Sequence, residues 1–260
     1  MRSDFQPAAT SAIPGGLDVA ATNAQLMASY LRILTPGVLG RLRSTAGLSN
    51  PFLPFATEAY CRQQGRILVV GRAPKRWLND EDLCDTSIDD YARRSAVAHA
   101  LLLQTPPGRH KFLQFLSRGN SLLEAPDSAI GWCNLFAVSH AKASPTALAR
   151  TSPEVFSVIS KLSQELLDAQ LKILRPHVIC FTVNPSFDQQ LNRYFGARMS
   201  PPAADNGGAR LRFEVDGIPA WRINHPRSLA KVDREAALSE MIFKARSIAG
   251  EGAVVAAPSP

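Results

Sequence analysis

Ile67-Leu68-Val69-Val70-Gly71-Arg72-Ala73-Pro74 is an unbroken apolar run that stops at a glycine and a proline. Apolar residues without alternation mark a strand buried on both faces, as in the interior of a parallel sheet. Gly71 lets backbone approach a neighbour closely, and Pro74 fixes the chain as it leaves the strand. Ligands in open α/β sheets bind just beyond the carboxyl ends of strands, so this corner is a candidate site. A later strand ends in a similar way, at Asn224-His225-Pro226-Arg227-Ser228. The two corners are expected to face each other.

Working outward, the spacing of Leu26, Met27, Tyr30, Leu31 and Leu34 predicts a helix from Ala21 towards Leu42, interrupted by Pro36, with room for a second short helix after Gly37. Asn50-Pro51-Phe52-Leu53-Pro54-Phe55 reads as a proline-punctuated loop, either a hydrophobic plug over the core or the rim of a pocket. Beyond the first strand lies an acidic stretch from Asp80 to Asp90, read as a solvated face and helix cap rather than a metal site. It leads into a helix through Ala92–Leu103, which Thr105-Pro106-Pro107-Gly108 ends. Another helix is predicted over 111–123, and Ile130–Phe136 is a second strand. Val155, Val158, Ile159, Leu162, Leu166, Leu167 and Leu171 give a strongly periodic helix over 153–174. Ser152-Pro153-Glu154 is its start signal. A third strand follows over 177–183, and Asn184-Pro185-Ser186 opens a helix to about Tyr194. This helix–strand–helix succession is a crossover that makes the sheet largely parallel. Leu211–Val215 and Ala220–Ile223 flank Asp216-Gly217 as a hairpin, and a helix over 233–248 closes the chain.

No repeat and no linker divides the 260 residues. One α/β domain over 21–248 is expected, between a flexible leader (1–20) and a flexible tail (249–260). The net charge of +7, from 29 basic and 22 acidic residues, favours polyanionic partners; a merely solvated basic surface is the alternative. Cys61, Cys84, Cys133 and Cys180 are scattered without a CxxC pair, which argues against a metal centre and a disulfide framework and fits a reducing compartment. No apolar run reaches the 18 residues or so of a membrane span, and the N-terminus lacks the apolar core of a signal peptide, so a cytoplasmic, soluble protein is expected. Nucleophile-elbow, P-loop, HExxH and dinucleotide-binding signatures are absent, and no cofactor is expected.

Gly71-Arg72-Ala73-Pro74, followed by Asn134 in Trp132-Cys133-Asn134-Leu135-Phe136 and by His225-Pro226-Arg227, resembles the ordered motifs of the uracil-DNA glycosylase superfamily. The Arg175-Pro176-His177-Val178-Ile179 entry to the third strand also resembles its counterpart, so the likeness covers roughly residues 65–235. It implies a three-layer α/β/α sandwich around a central, mainly parallel four-stranded sheet. It also implies cleavage of the N-glycosidic bond of a flipped-out uracil or related base in DNA. In that reading Asn134 pairs with the base edge and His225 stabilises charge on the departing base. Gly71, Arg72, Ala73 and Pro74 shape the pocket, and Trp77 or Phe55 stacks on the base. Lys75, Arg76, Arg227 and Lys231 contact DNA phosphates.

The sequence departs from the family at three places. Ala73 stands where the most active branches carry a water-orienting Asp or Asn, although some branches have Ala there. Arg72 replaces Gln, Glu or an apolar residue and, as a permanent cation, cannot act as a base. Arg227 replaces the usual Ser. The cysteine spacing does not fit the iron–sulfur branches, so no metal cluster is expected.

From the residues alone, the lesser readings are Asn134 as a buried amide satisfied by backbone and His225 as a turn-closing residue. Trp132 and Trp221 read as core aromatics and His177 as structural. DNA is the expected partner of a monomer, with no membrane involved. A non-catalytic binding module of the same fold and a small-molecule nucleotide enzyme are the rival readings.

Overall fold

A computed structural model describes residues 16–74, 77–78, 87–205 and 210–255. Lys75, Arg76, Cys84 and the acidic residues from Asp80 to Asp85 lie outside them, as do the Gly207-Gly208 loop and the first fifteen residues of the expected leader.

The first element is α1 (Val19–Ile33), which begins inside the stretch read as leader. Asp18 caps it, its Oδ1 accepting from the Ala21 N–H at 2.7 Å. Pro36 starts a separate helix, α2 (Pro36–Ser44), rather than merely interrupting the first, because a proline is well accommodated at the first helical position. The short α3 (Glu58–Cys61) precedes β1 (Ile67–Gly71), whose bounds match the apolar run. Then follow α4 (Ile88–Gln104), capped by Ser87, α5 (Lys111–Leu122) and β2 (Gly131–Asn134). A helix not foreseen in the sequence, α6 (Pro145–Thr151), leads into α7 (Pro153–Leu174). The latter ends because Arg175 turns into the left-handed region, at φ 46°, and Pro176 follows. After β3 (Val178–Thr182) come a single 3₁₀ turn and α8 (Asp188–Phe195). Last are β4 (Ala203–Asp205), β5 (Arg210–Val215), β6 (Ile218–Ile223) and α9 (Lys231–Val255). The final helix runs through part of the segment read as a tail.

The sheet has six strands in the order β2-β1-β3-β6-β5-β4, not four. The first four are parallel, and β5 and β4 extend the sheet antiparallel. The hairpin adds β5, and β4 pairs along its outer edge. Asp216 and Gly217 both have positive φ (52° and 77°), the turn geometry that folds β5 back beside β6.

Alternate residues of each inner strand enter opposite apolar layers. Leu68, Val70, Ile179 and Phe181 meet α1, α4 and α7, while Ile67, Val69, Val178 and Cys180 meet α5 and α9. That partition is why the strands read as continuous apolar runs: both faces are covered. Leu162, Leu166, Leu167 and Leu171 fill the α7 stripe, and burying each contributes about 2 kcal/mol. Within the sheet, Arg222 on β6 is only 1% exposed and pairs with Asp188 on α8 at 2.9 Å.

Helix α9 approaches the chain at Gly65, just ahead of β1. A Cβ there would lie 2.8 Å from the Ala245 carbonyl carbon and 2.9 Å from its oxygen. Backbone cannot yield as a flexible side chain does, so Gly65→Ala is expected to cost about 1–3 kcal/mol. Urea unfolding should show a lower midpoint with the slope unchanged. An unaltered midpoint would mean that α9 has slack against the sheet.

Candidate functional site

Because β2, β1, β3 and β6 run parallel, their carboxyl ends emerge at one pole. Gly71 and Asn134 are register partners there, and the backbone pairing continues one step past the strands. The Leu135 and Phe136 N–H groups donate to the Gly71 and Arg72 carbonyls at 2.8 and 2.9 Å. The missing side chain at Gly71 is what admits Asn134. A Cβ would stand 2.5 Å from Asn134 Oδ1, 3.2 Å from Trp132 Nε1 and 3.4 Å from the Phe112 ring.

Asn134 is 4% exposed. Its Oδ1 accepts from Trp132 Nε1 at 3.2 Å, and its buried Nδ2 has no hydrogen-bond partner. An indole N–H can only donate, so it fixes which way round the amide sits: oxygen toward Trp132, the NH₂ group away from it. A buried donor without an acceptor costs about 1–3 kcal/mol, which makes it a conspicuous feature of this pole. A second orphan, the buried Oδ1 of Asn224, lies at the end of β6, three strands away.

His225 follows β6 and so stands two strands further from Asn134 than Gly71 does, beyond β3. The Asn184 side chain after β3 accepts from its backbone N–H at 3.3 Å, joining the two turns. Its Nδ1 accepts from the Arg227 N–H at 3.1 Å, which places the ring proton on Nε2. Burial, and then the nearby Arg72, His110 and Arg227, hold its pKa below the usual histidine value. His225 is therefore neutral at pH 7, with an Nε2–H to donate. Its ring lies 6.3 Å from Phe112 at an interplanar angle of 24°, and Phe112 in turn packs 5.0 Å from Trp132. One aromatic ring thus links the histidine corner to the asparagine corner.

Behind Asn134 is an aromatic array: Trp77 lies 4.7 Å from Phe52, and Phe52 lies 4.8 Å from Trp132. Trp77 is tied to this array, its Nε1 donating to Ser95 Oγ at 3.0 Å. Phe55, the other expected stacking residue, packs edge-on against Tyr30 in the α1 layer, 5.6 Å away. The proline turns aim the two phenylalanines of the loop at opposite layers, and it is Phe52 that joins the array near Asn134. His99 is wedged between Phe52 and Trp132, at 5.4 and 5.5 Å, with its Nε2 buried and unpartnered.

Arg72, Ala73 and Pro74 open onto a cleft of about 580 Å³, walled on its far side by His140, Lys142 and Ser144. His140 accepts at Nδ1 from the Lys142 and Ala143 N–H groups, so it too presents an Nε2–H. No carboxylate lines this cleft among the described residues. Arg72 and Arg227 are exposed at the pole, and Lys231 lines a neighbouring groove of about 280 Å³ with Lys111, Arg118 and Arg234. Arg234 donates to the Pro226 carbonyl at 3.0 Å, tying α9 to the histidine turn. Lys75 and Arg76 lie outside the described residues.

The structure thus brings together Gly71, Arg72, Asn134, His225 and Arg227, leaves Phe55 apart, and adds Phe52, His99, Phe112, Trp132 and His140, which sequence reasoning missed. Trp132 and Phe112 read only as core residues because helical or strand spacing says nothing about which polar atom they touch. Cys133 and Cys180 are fully buried, and no cluster of metal-ligating side chains occurs among the described residues. No described helix is long and apolar enough to cross a membrane.

Burial pulls the His99 pKa down to about 3. Unfolding releases it to a normal value near 6.5, so between those two values the unfolded chain binds the extra proton and acid destabilises the fold. Stability is expected to fall by up to about 1.4 kcal/mol per pH unit below pH 6.5 on this account. Urea unfolding at pH 7.5, 6 and 5 should show a shallower acid dependence in His99→Leu than in the parent chain, and equal slopes would remove the histidine from the explanation. Compared with known proteins, the chain matches no protein-family model and no curated relative.

Proposed function

We propose that the chain is a DNA glycosylase-like protein that draws an extrahelical uracil or related deaminated base to the carboxyl pole of its sheet and cleaves the N-glycosidic bond. The observation that carries this reading is the buried Asn134 amide, held one way round by Trp132 with its Nδ2–H left without an acceptor. A base carbonyl supplies that acceptor, whereas the amino group of cytosine or adenine meets a donor with a donor. Deaminated bases are thereby favoured over their parents. The base must leave the stack to reach such a pocket. As the C1′–N bond breaks, its electron pair stays on the base. The neutral His225 donates from Nε2 to a base oxygen where that charge accumulates. Water adds to the sugar carbon, and the proton it loses passes through solvent to the departing base anion. Ala73 provides no group to orient that water, so leaving-group stabilisation carries the chemistry and turnover is slow. Arg72, Arg227 and Lys231, with Arg234 and Lys111, supply phosphate contacts.

A second reading, a DNA-binding module of the same fold without chemistry, is favoured by the same Ala73 and by the enclosure of the Asn134 amide beneath its aromatic neighbours. Base release from oligonucleotides carrying uracil, hypoxanthine or xanthine, single- and double-stranded, separates the two. Release is expected in the parent chain and should drop by about 10²–10³ in both Asn134→Ala and His225→Ala. It should also decline on acidification with an inflection below pH 6.5, because protonating His225 Nδ1 breaks its bond from the Arg227 N–H. No release from any of these bases, with salt-sensitive DNA binding retained, would select the module.

A further inference from the structure

The opposite pole of the sheet holds a second cavity, of about 550 Å³, where β1 and β3 begin. Five-residue strands separate it from the asparagine–histidine pole by roughly 16 Å. Arg66, Lys172, Arg175 and Arg198 line it, with His177, against only two carboxylates, Asp168 and Asp216. Both carboxylates are already engaged by Arg198, at 2.9 Å for Asp168 and 2.5 Å for Asp216. No carboxylate pairs with Lys172 or Arg175 among the described residues.

Basic side chains at a helix C-terminus often answer its exposed carbonyls. Here those carbonyls are occupied by other groups. The Leu174 carbonyl accepts from the Tyr60 hydroxyl at 3.0 Å, and the Arg175 carbonyl from Arg66 Nε at 3.1 Å. The Lys172 and Arg175 side chains are exposed and left over. His177 accepts at Nδ1 from the Arg66 N–H at 3.0 Å, so its Nε2 carries the proton. Burial, with Arg66 and Arg175 beside it, keeps the His177 pKa low. Leu171, Pro176, Val215 and Ile218 supply an apolar wall.

We propose that this cavity binds a small phosphorylated anion of nucleoside diphosphate size. Lys172, Arg175 and the His177 Nε2–H hold its phosphates, and Leu171, Val215 and Ile218 take its ring. The volume suits such a ligand, and the excess of cations over free carboxylates supplies the charge. The assignment is independent of what happens at the other pole.

Titration of the full chain with ADP, with inorganic pyrophosphate and with sodium chloride at matched ionic strength tests it, read by calorimetry and melting temperature. ADP and pyrophosphate are expected to saturate and to raise Tm, and sodium chloride to do neither. The double variant Lys172→Gln/Arg175→Gln should weaken ADP by roughly tenfold or more, while His225→Ala should leave it unchanged. Proton NMR of the parent chain gives a readout that needs no variant: the His177 ring signals move on adding ADP and its pKa rises, since a bound anion favours imidazolium. Absence of saturation, full retention in the double variant, loss in His225→Ala alone, or an unmoved His177 signal would each overturn the assignment. Saturation by duplex DNA but not by ADP or pyrophosphate would do the same.

Discussion

Everything at the carboxyl pole depends on one register: Gly71 on β1 lies directly across from Asn134 on β2. A side chain at position 71 would collide with the Asn134 amide and crowd the Trp132 indole. The space left by that single missing Cβ is where the amide is held. Trp132, two residues earlier on the same strand face, then decides which end of the amide is satisfied and which is left over. A backbone constraint is thereby converted into a chemical one, since the orphaned atom is a donor and asks for a carbonyl.

Parallel pairing also separates the charges of the molecule. At the carboxyl pole two histidines are held the same way round, each by backbone N–H groups donating to Nδ1, so each turns its Nε2 outward. Exposed arginines stand around them, and the cleft beside Ala73 lacks a carboxylate among the described residues. Such a pole can stabilise negative charge and has little means of removing protons. At the amino pole, four cations crowd a cavity whose two carboxylates are both spoken for. Each end of the sheet thus offers cations to a different kind of anion.

Much of the frame was legible. The apolar run Ile67–Val70, the heptad-like leucines of α7 and the Asp216-Gly217 turn each have a short-range signature, because burial on both faces, helical period and positive φ all leave marks in consecutive residues. Gly71, Asn134 and His225 could be singled out because strand ends are where α/β sheets expose function. Less was legible where a contact joins distant residues. Phe52 and Phe55 sit in one loop with the same proline punctuation, yet one enters the aromatic array near Asn134 and the other packs on Tyr30. His99 gives no sign in a helix of ordinary composition that it will be buried between two aromatic rings. The short strand β4 and helices α3 and α6 were not visible, being too brief for a periodic pattern to emerge.

By itself the sequence determined the layers: unbroken apolar strands, amphipathic helices between them and a hairpin at the end admit little besides a helix-covered, mainly parallel sheet. It also determined which residues would stand at the strand ends, because periodicity and turn chemistry are local properties of the chain. Only the tertiary structure decided what those residues face. The orientation of the Asn134 amide, the ring proton of His225 and the gathering of Arg175, Lys172 and His177 around one cavity all depend on pairings between segments far apart in the chain. Hydrogen bonding, desolvation and charge crowding act through space, and no local pattern encodes them.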